Sequence, residues 1–258
     1  MRIVSLASGS KGNATIIEED GVALLIDCGL SGREFVRRCR SVGIDLEKIV
    51  VALFTHNHQD HTSGIDALRK YCPLAEFYAN FMTAEAIAVE CKIKETDFRC
   101  FENGQTFEIG PFAISPFSIP HDTPDPVGFL VKGSLVYFHG TDIGSPLDSI
   151  GLKLAEADVA TLESNHDPVL LHNSGRPPHL IQRIFGSRGH LSNDQSAELV
   201  KKFASRRLKT LALGHISSAC NEPHLVAAVM RSALNEMNRS EVELKILLQN
   251  EAVEVWNG

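Results

Sequence analysis

The sequence has no C-x-x-C pair among its six cysteines, no apolar run long enough to span a bilayer, and no low-complexity tract, internal repeat or linker. Each absence excludes something. Without closely spaced thiols, Cys28, Cys39, Cys72, Cys91, Cys100 and Cys220 form no sulfur-based zinc or redox motif, and they read as buried or idle thiols of a reducing compartment. Met1-Arg2-Ile3-Val4-Ser5 leads straight into an apparent strand with no basic-then-apolar leader pattern. With no stretch of membrane-spanning length, the expectation is a cytoplasmic protein with no membrane partner.

Basic residues are also in deficit: 25 Lys and Arg stand against 32 Asp and Glu, a formal charge of −7. Nonspecific affinity for nucleic acid comes mainly from Lys and Arg neutralising phosphates, so a polyanion would have to be met by a local patch or by bound cations. Two runs qualify as patches: Arg33, Arg37, Arg38 and Arg40, then Lys201, Lys202, Arg206, Arg207 and Lys209. The plainer reading of both is an ordinary solvated helix face. The length of 258 residues, with 43% hydrophobic, is enough for a large core within one α/β domain spanning 1–258. Oligomeric state stays open.

What is present in excess is histidine, and it is clustered. The apolar run Ile49 to Leu53 reads as a buried strand, and it runs into Phe54-Thr55-His56-Asn57-His58-Gln59-Asp60-His61. On a chain still extended, His56 and His58 point to one side and can grip one cation. A backbone turn at Gln59 would let Asp60 and His61 hold a second cation close by. Imidazoles with a carboxylate suit Zn, Mn or Fe better than Mg or Ca. The spacing differs from the helical H-E-x-x-H pattern.

Along the chain, strands are predicted at Arg2 to Ala7, Thr15 to Glu18 and Val22 to Cys28, the last two joined by the Asp20-Gly21 turn. Ser31-Gly32-Arg33-Glu34 reads as a capping box opening a helix that Gly43 ends. Strand and helix alternate to Cys91. From Phe98 to Phe138 the pattern becomes strands punctuated by Asn103-Gly104, Gly110-Pro111 and Lys132-Gly133. A strand at Asp158 to Glu163, broken helix from Pro168 to Phe185, a second capping box at Ser192-Asn193-Asp194-Gln195, a strand at Thr210 to Leu213, a helix at Glu222 to Met237 and two closing strands follow. Two β-rich halves flanked by helices predict two sheets packed face to face with helices outside, a four-layer αββα sandwich of the α/β class.

The His56-x-His58-x-Asp60-His61 signature, after a strand and before a helix, resembles that of the metallo-β-lactamase superfamily. Ser8-Gly9-Ser10-Lys11-Gly12-Asn13-Ala14-Thr15, Glu163-Ser164-Asn165-His166-Asp167 and Gly189-His190-Leu191-Ser192-Asn193 resemble its YycJ/WalJ-type branch, bacterial proteins regarded as DNA exonucleases or phosphodiesterases. The likeness covers nearly the whole chain. It implies that His121, Asp142 and His215 match the later metal motifs. The first ion is then held by His56, His58, His121 and Asp142, and the second by Asp60, His61, Asp142 and His215. Asp27 matches an aspartate that supports the metal loop from behind.

The activity implied is phosphodiester hydrolysis with two divalent ions (Zn, Mn or Fe). A bridging hydroxide attacks phosphorus, Asp60 serves both as ligand and in catalysis, and His190, beside a helix start, donates the proton to the leaving oxygen or else merely packs at the cap. DNA is the expected substrate, degraded from a 5′ end. Ser10 and Asn13, in a Gly/Ser loop that either presents N–H groups to a phosphate or only makes a tight connection, are candidate substrate contacts, as are His166 and Asn221. Glu163 is expected to support the site from behind. Arg176 and Arg183 could touch phosphate. Three other readings remain: hydrolysis of a small ester, thioester, lactone or cyclic phosphodiester; a flavodiiron redox enzyme, disfavoured because it wants Glu where His58 stands; and a metal-binding regulator without catalysis.

Overall fold

A computed structural model describes residues 1–258. The first half starts with a meander of β1 (Arg2–Ala7), β2 (Ala14–Glu19) and β3 (Val22–Ile26), then alternates α1 (Gly32–Ser41), β4 (Ile49–Leu53), α2 (Gln59–Thr62), α3 (Ile65–Tyr71), β5 (Glu76–Asn80), α4 (Phe81–Cys91) and β6 (Phe98–Phe101). The second half runs through β7 (Phe107–Ile109), β8 (Phe112–Ser118), β9 (Val127–Lys132), β10 (Val136–Gly140), α5 (Asp148–Leu154), β11 (Val159–Glu163), α6 (Pro168–His172), α7 (Pro178–Phe185), α8 (Asn193–Phe203), β12 (Thr210–Gly214), α9 (Pro223–Glu236), β13 (Glu243–Ile246) and β14 (Val253–Asn257). No helix is long and apolar enough to cross a membrane.

The strands form two seven-stranded sheets, ordered β14-β1-β2-β3-β4-β5-β6 and β13-β12-β11-β10-β9-β8-β7. Between them lies an apolar layer that includes Ile17, Leu24, Val51, Phe112, Phe129 and Tyr137. Phe35, Leu68 and Ile87 cover the outer face of the first sheet from α1, α3 and α4. Ile150, Val200 and Met230 do the same for the second from α5, α8 and α9. The αββα sandwich is therefore the observed architecture. It explains why β11 and β12 are buried along their whole length: a strand covered on both faces reads as a continuous apolar run, without alternation.

Both sheets change from antiparallel to parallel pairing partway across. In the first, β3, β4, β5 and β6 run parallel; in the second, β10, β11, β12 and β13 do. The carboxyl ends of parallel strands share one edge, where α/β folds place their ligands. The two closing strands separate: β13 joins β12, whereas β14 crosses to the other sheet and pairs antiparallel with β1, Trp256 opposite Ile3.

Local signals behave unevenly. Ser192 forms a complete capping box with Gln195. At Ser31 only half of it forms: Ser31 Oγ accepts from Glu34 N at 3.4 Å, but the Glu34 carboxylate turns to Arg37 and Arg38, at 2.8 and 3.2 Å. Two nearby guanidinium groups outcompete one backbone N–H. The basic runs are also largely neutralised. Arg38 is buried and donates to Leu6 O and Gln249 O; Lys201, Lys202 and Arg207 pair with Glu236, Asp148 and Asp158.

Candidate active site

Three strands end in a residue whose backbone is left-handed: Asp27 after β3 (φ 58°), Asp142 after β10 (φ 60°) and His215 after β12 (φ 52°). Such a conformation costs a non-glycine residue on the order of 1–3 kcal/mol and persists where surrounding structure enforces it, often at functional sites. Each turn throws a side chain back over the edge of the sandwich. Meanwhile His56 and His58 leave β4, and Asp60 and His61 ride the single turn α2. That turn is pressed against the end of β3, so closely that a Cβ on Gly29 would lie 1.6 Å from Asp60 O.

The seven histidines and aspartates expected to ligate converge there. Ligand atoms lie within 4.8 Å of one another in four groups: His56, His58 and His121; Asp60, His61 and His215; His56, His61 and Asp142; and Asp142 and His215 with Glu163 and His190, two residues not expected as ligands. Asp142 Oδ2 is 3.2 Å from His61 Nε2, and its Oδ1 is 3.5 Å from His215 Nε2 and 3.7 Å from His121 Nε2. His56 Nε2 and His121 Nε2 are buried without any hydrogen-bond partner, an arrangement that needs an explanation because buried polar atoms are almost always paired. A cation is that explanation. The donor set, imidazole nitrogen with carboxylate oxygen, suits a divalent metal.

The outer nitrogens of these rings are held from behind. Asp27 Oδ2 sits 2.7 Å from His61 Nδ1, while the carboxylate also accepts from Thr55 N at 2.9 Å and Thr55 Oγ1 at 2.8 Å. His121 Nδ1 is 3.0 Å from Gly189 O and donates to it. Glu163 is fully buried. Its Oε1 lies 2.8 Å from His190 Nδ1 and 2.9 Å from His215 Nδ1, and its Oε2 accepts from Ile143 N at 2.7 Å and Leu191 N at 3.1 Å. With Nδ1 of His61 and His215 held by Asp27 and Glu163 and that of His121 by Gly189 O, their Nε2 atoms face Asp142, as in metal sites whose imidazoles are oriented by outer partners.

The electrostatics agree. Burial pushes the pKa of His56, His58 and His121 down, leaving neutral imidazoles. Burial works against charge on His61 and His215 as well, but Asp142 and the neighbouring carboxylates outweigh it; His61 is raised well above its usual range and His215 to about 10. Burial likewise opposes ionisation of Glu163, yet His190 and His215 draw it down to about 2. Asp142 and the neighbouring carboxylates thus favour the charged form of His61 and His215 in the metal-free protein. A divalent ion held by these residues would compete with protons for the same nitrogens.

The cluster opens into a cavity of about 320 Å³ with no apolar side chain in its wall. A larger hollow of about 570 Å³, among Arg69, Cys72, Phe77 and Phe98, contains none of these residues. His190 and Ser10 line the polar cavity. Arg183 does as well, whereas Asn13, Asn221 and His166 do not. Asn13 is buried with its Nδ2 2.9 Å from His61 Nε2 and its Oδ1 accepting from Gly9 N at 2.8 Å, so the Gly/Ser loop is closed on itself as a tight connection. Asn221 exchanges hydrogen bonds with Asn193 at 2.8 and 3.0 Å and staples internal loops. His166 is fully buried and stands edge-on to Phe185, with both ring nitrogens unpartnered. Asn13 and Asn221, drawn inward, satisfy the backbone groups of Gly9 and Ser164 that would otherwise be buried unpaired.

Two residues of the wall and frame escaped sequence reasoning. Asn165 Nδ2 donates to His215 O at 2.8 Å, holding that turn. Asp122 Oδ1 lies 3.4 Å from His121 Nε2 and 3.8 Å from His58 Nε2; a carboxylate adjacent to a ligand-type histidine was the signal available.

Comparison with known proteins identifies the family and the fold. Residues 23–216 fit the sequence profile described as a β-lactamase superfamily domain. The chain is 32% identical over 234 residues to "Exodeoxyribonuclease WalJ" of Streptococcus pneumoniae, covering 89% of this chain and 86% of that one. It is 29% identical over 239 residues to "Exodeoxyribonuclease YycJ" of Bacillus anthracis, covering 90% and 88%. Among solved structures, the metallo-β-lactamase fold protein YhfI from Bacillus subtilis superposes with a TM-score of 0.71 at 17% identity, over 98% of this chain and all of that one (100%). That last likeness speaks to fold.

Proposed function

Because the chain belongs to the metallo-β-lactamase superfamily, in the branch of the WalJ and YycJ proteins, we propose that it is a metal-dependent hydrolase that degrades DNA from an end, by our reading the 5′ end. His56, His58, His121 and Asp142 would hold one divalent ion, and Asp60, His61, Asp142 and His215 a second, with Zn, Mn or Fe as the candidates on donor chemistry. Such ions supply Lewis acidity toward phosphoryl oxygens and make a water acidic near neutral pH.

The chain's own residues do the rest. Asp142 faces both halves of the cluster, with His61 at 3.2 Å from one oxygen and His121 and His215 at 3.7 and 3.5 Å from the other. That single observation carries the two-ion reading, since a bridging carboxylate can fix the spacing of two cations. Glu163 engages His190 at Nδ1 and so leaves Nε2 to hold a proton and release it to the leaving oxygen. The wall carries no apolar side chain, which suits a strongly hydrated phosphodiester.

The test is direct. Protein reconstituted with Mn²⁺ or Zn²⁺ is incubated with single- and double-stranded oligonucleotides labelled at the 5′ or the 3′ end, and product lengths are followed in time. Early release of the 5′ label as a mononucleotide is the expected result. Release from the 3′ end would reverse the polarity; no shortening with either metal would remove the nuclease reading.

A further inference from the structure

Arg183, on α7, is the one lysine or arginine in the wall of the cavity. Its guanidinium Nε donates to Asp122 Oδ2, while the other oxygen of Asp122, unpartnered and buried, faces His121 and His58. The Arg183 side chain is 58% exposed and that of Asp122 26%. An ion pair at such exposure is screened by solvent and adds little to stability. Nor is α7 free to swing. His190 N donates to Ile184 O at 3.0 Å, and Gly189 O holds His121 Nδ1 at 3.0 Å, so the segment carrying Arg183 is tied to the groups on both sides of the cavity. Only the side chain can move.

We propose that Arg183 is the phosphate-recognising residue of this cavity and that Asp122 is the residue that positions it. The proposal rests on the nuclease reading for its substrate class, an oligonucleotide phosphodiester. Asp122 keeps the guanidinium extended over the His58–His121 side of the cluster, where it meets a non-bridging phosphate oxygen as a charge-assisted, bidentate donor. With the chain carrying a formal charge of −7, Arg183 is the one lysine or arginine that the cavity wall offers a polyanion.

The test compares Mn²⁺-loaded wild type with Arg183→Ala, Arg183→Lys, Asp122→Asn and the Arg183→Ala/Asp122→Asn pair on a single-stranded oligonucleotide at several salt concentrations. Binding of the same oligonucleotide to metal-free protein is followed in parallel by fluorescence anisotropy. Loss of one charge-assisted contact made alike in ground and transition states should raise KM about ten- to hundredfold with little change in kcat. The slope of log affinity against log salt should fall by about 0.7, the single-strand value for one phosphate contact. Arg183→Lys should keep the slope while weakening KM. Asp122→Asn should weaken KM in the wild-type background and not in the Arg183→Ala background. Unchanged KM and slope in Arg183→Ala would overturn the proposal, as would an Asp122→Asn effect of equal size in both backgrounds. If wild type fails to hydrolyse DNA, the nuclease reading falls; the anisotropy slope then decides Arg183 alone, and equal binding by wild type and Arg183→Ala overturns it.

Discussion

His190 and Glu163 are joined by a contact of 2.8 Å between Nδ1 and Oε1, and the same oxygen lies 2.9 Å from His215 Nδ1. One buried carboxylate thus orients both the proposed proton donor and a proposed metal ligand. These two tasks can be separated experimentally.

His190→Ala should lower turnover by about two to four decades, the usual contribution of general acid catalysis, while metal content, read by elemental analysis, stays at the wild-type level. Glu163→Gln should lower both metal affinity and turnover by roughly ten- to a hundredfold, as expected when an outer-shell partner is lost. Equal metal loss in the two variants would contradict the division of roles.

Asp142→Ala should abolish activity and leave the protein unable to hold its full complement of metal, because both halves of the cluster lose the carboxylate they share. The measurement is metal stoichiometry after gel filtration in metal-free buffer. Retention of full metal would place the shared contact elsewhere.

Gly29→Ala should be severely destabilising, since the added Cβ would meet Asp60 O at 1.6 Å, far inside contact distance, and the obstacle is backbone. Losses above 4–5 kcal/mol are exceptional and need this kind of named clash, and about that much is expected here. Urea titration of wild type and variant reads it, and a variant within about 1 kcal/mol of wild type, an ordinary mutational effect, would mean that the metal loop yields easily.

His139 is buried, its Nδ1 3.1 Å from Tyr137 Oη, and burial draws its pKa down to about 4 from the ordinary 6.5. Below pH 6.5 the unfolded chain takes up a proton that the folded protein refuses, so this residue makes stability fall as pH drops from 6.5 to about 4. The limiting slope is about 1.4 kcal/mol per pH unit for one proton. Urea titrations at a series of pH values should show a shallower dependence in His139→Gln than in wild type across that window; identical slopes would assign the acid sensitivity to other groups.

Much of the fold was legible in the sequence because strands and helices announce themselves through near neighbours. The apolar run of β4, the Asp20-Gly21 turn and the cap at Ser192 are all short-range patterns. The half-formed box at Ser31 shows the limit: whether Glu34 reaches back to its own helix start or across to Arg37 and Arg38 depends on competing partners. Asn13 and Asn221 show it again. Polar residues in loops look available to a ligand, but both are consumed inside the protein.

The sequence by itself determined that a cation-seeking loop follows a buried strand and that two β-rich halves must cover each other, since both follow from residue type and spacing. The tertiary structure decided which carboxylate stands behind which ring. Glu163 reaches His215 across 52 positions and Asp27 reaches His61 across 34, and the last strand returns to pair with the first. No local pattern encodes such meetings. They arise because parallel strands end together at one edge, and left-handed turns at Asp27, Asp142 and His215 aim distant side chains at a common point.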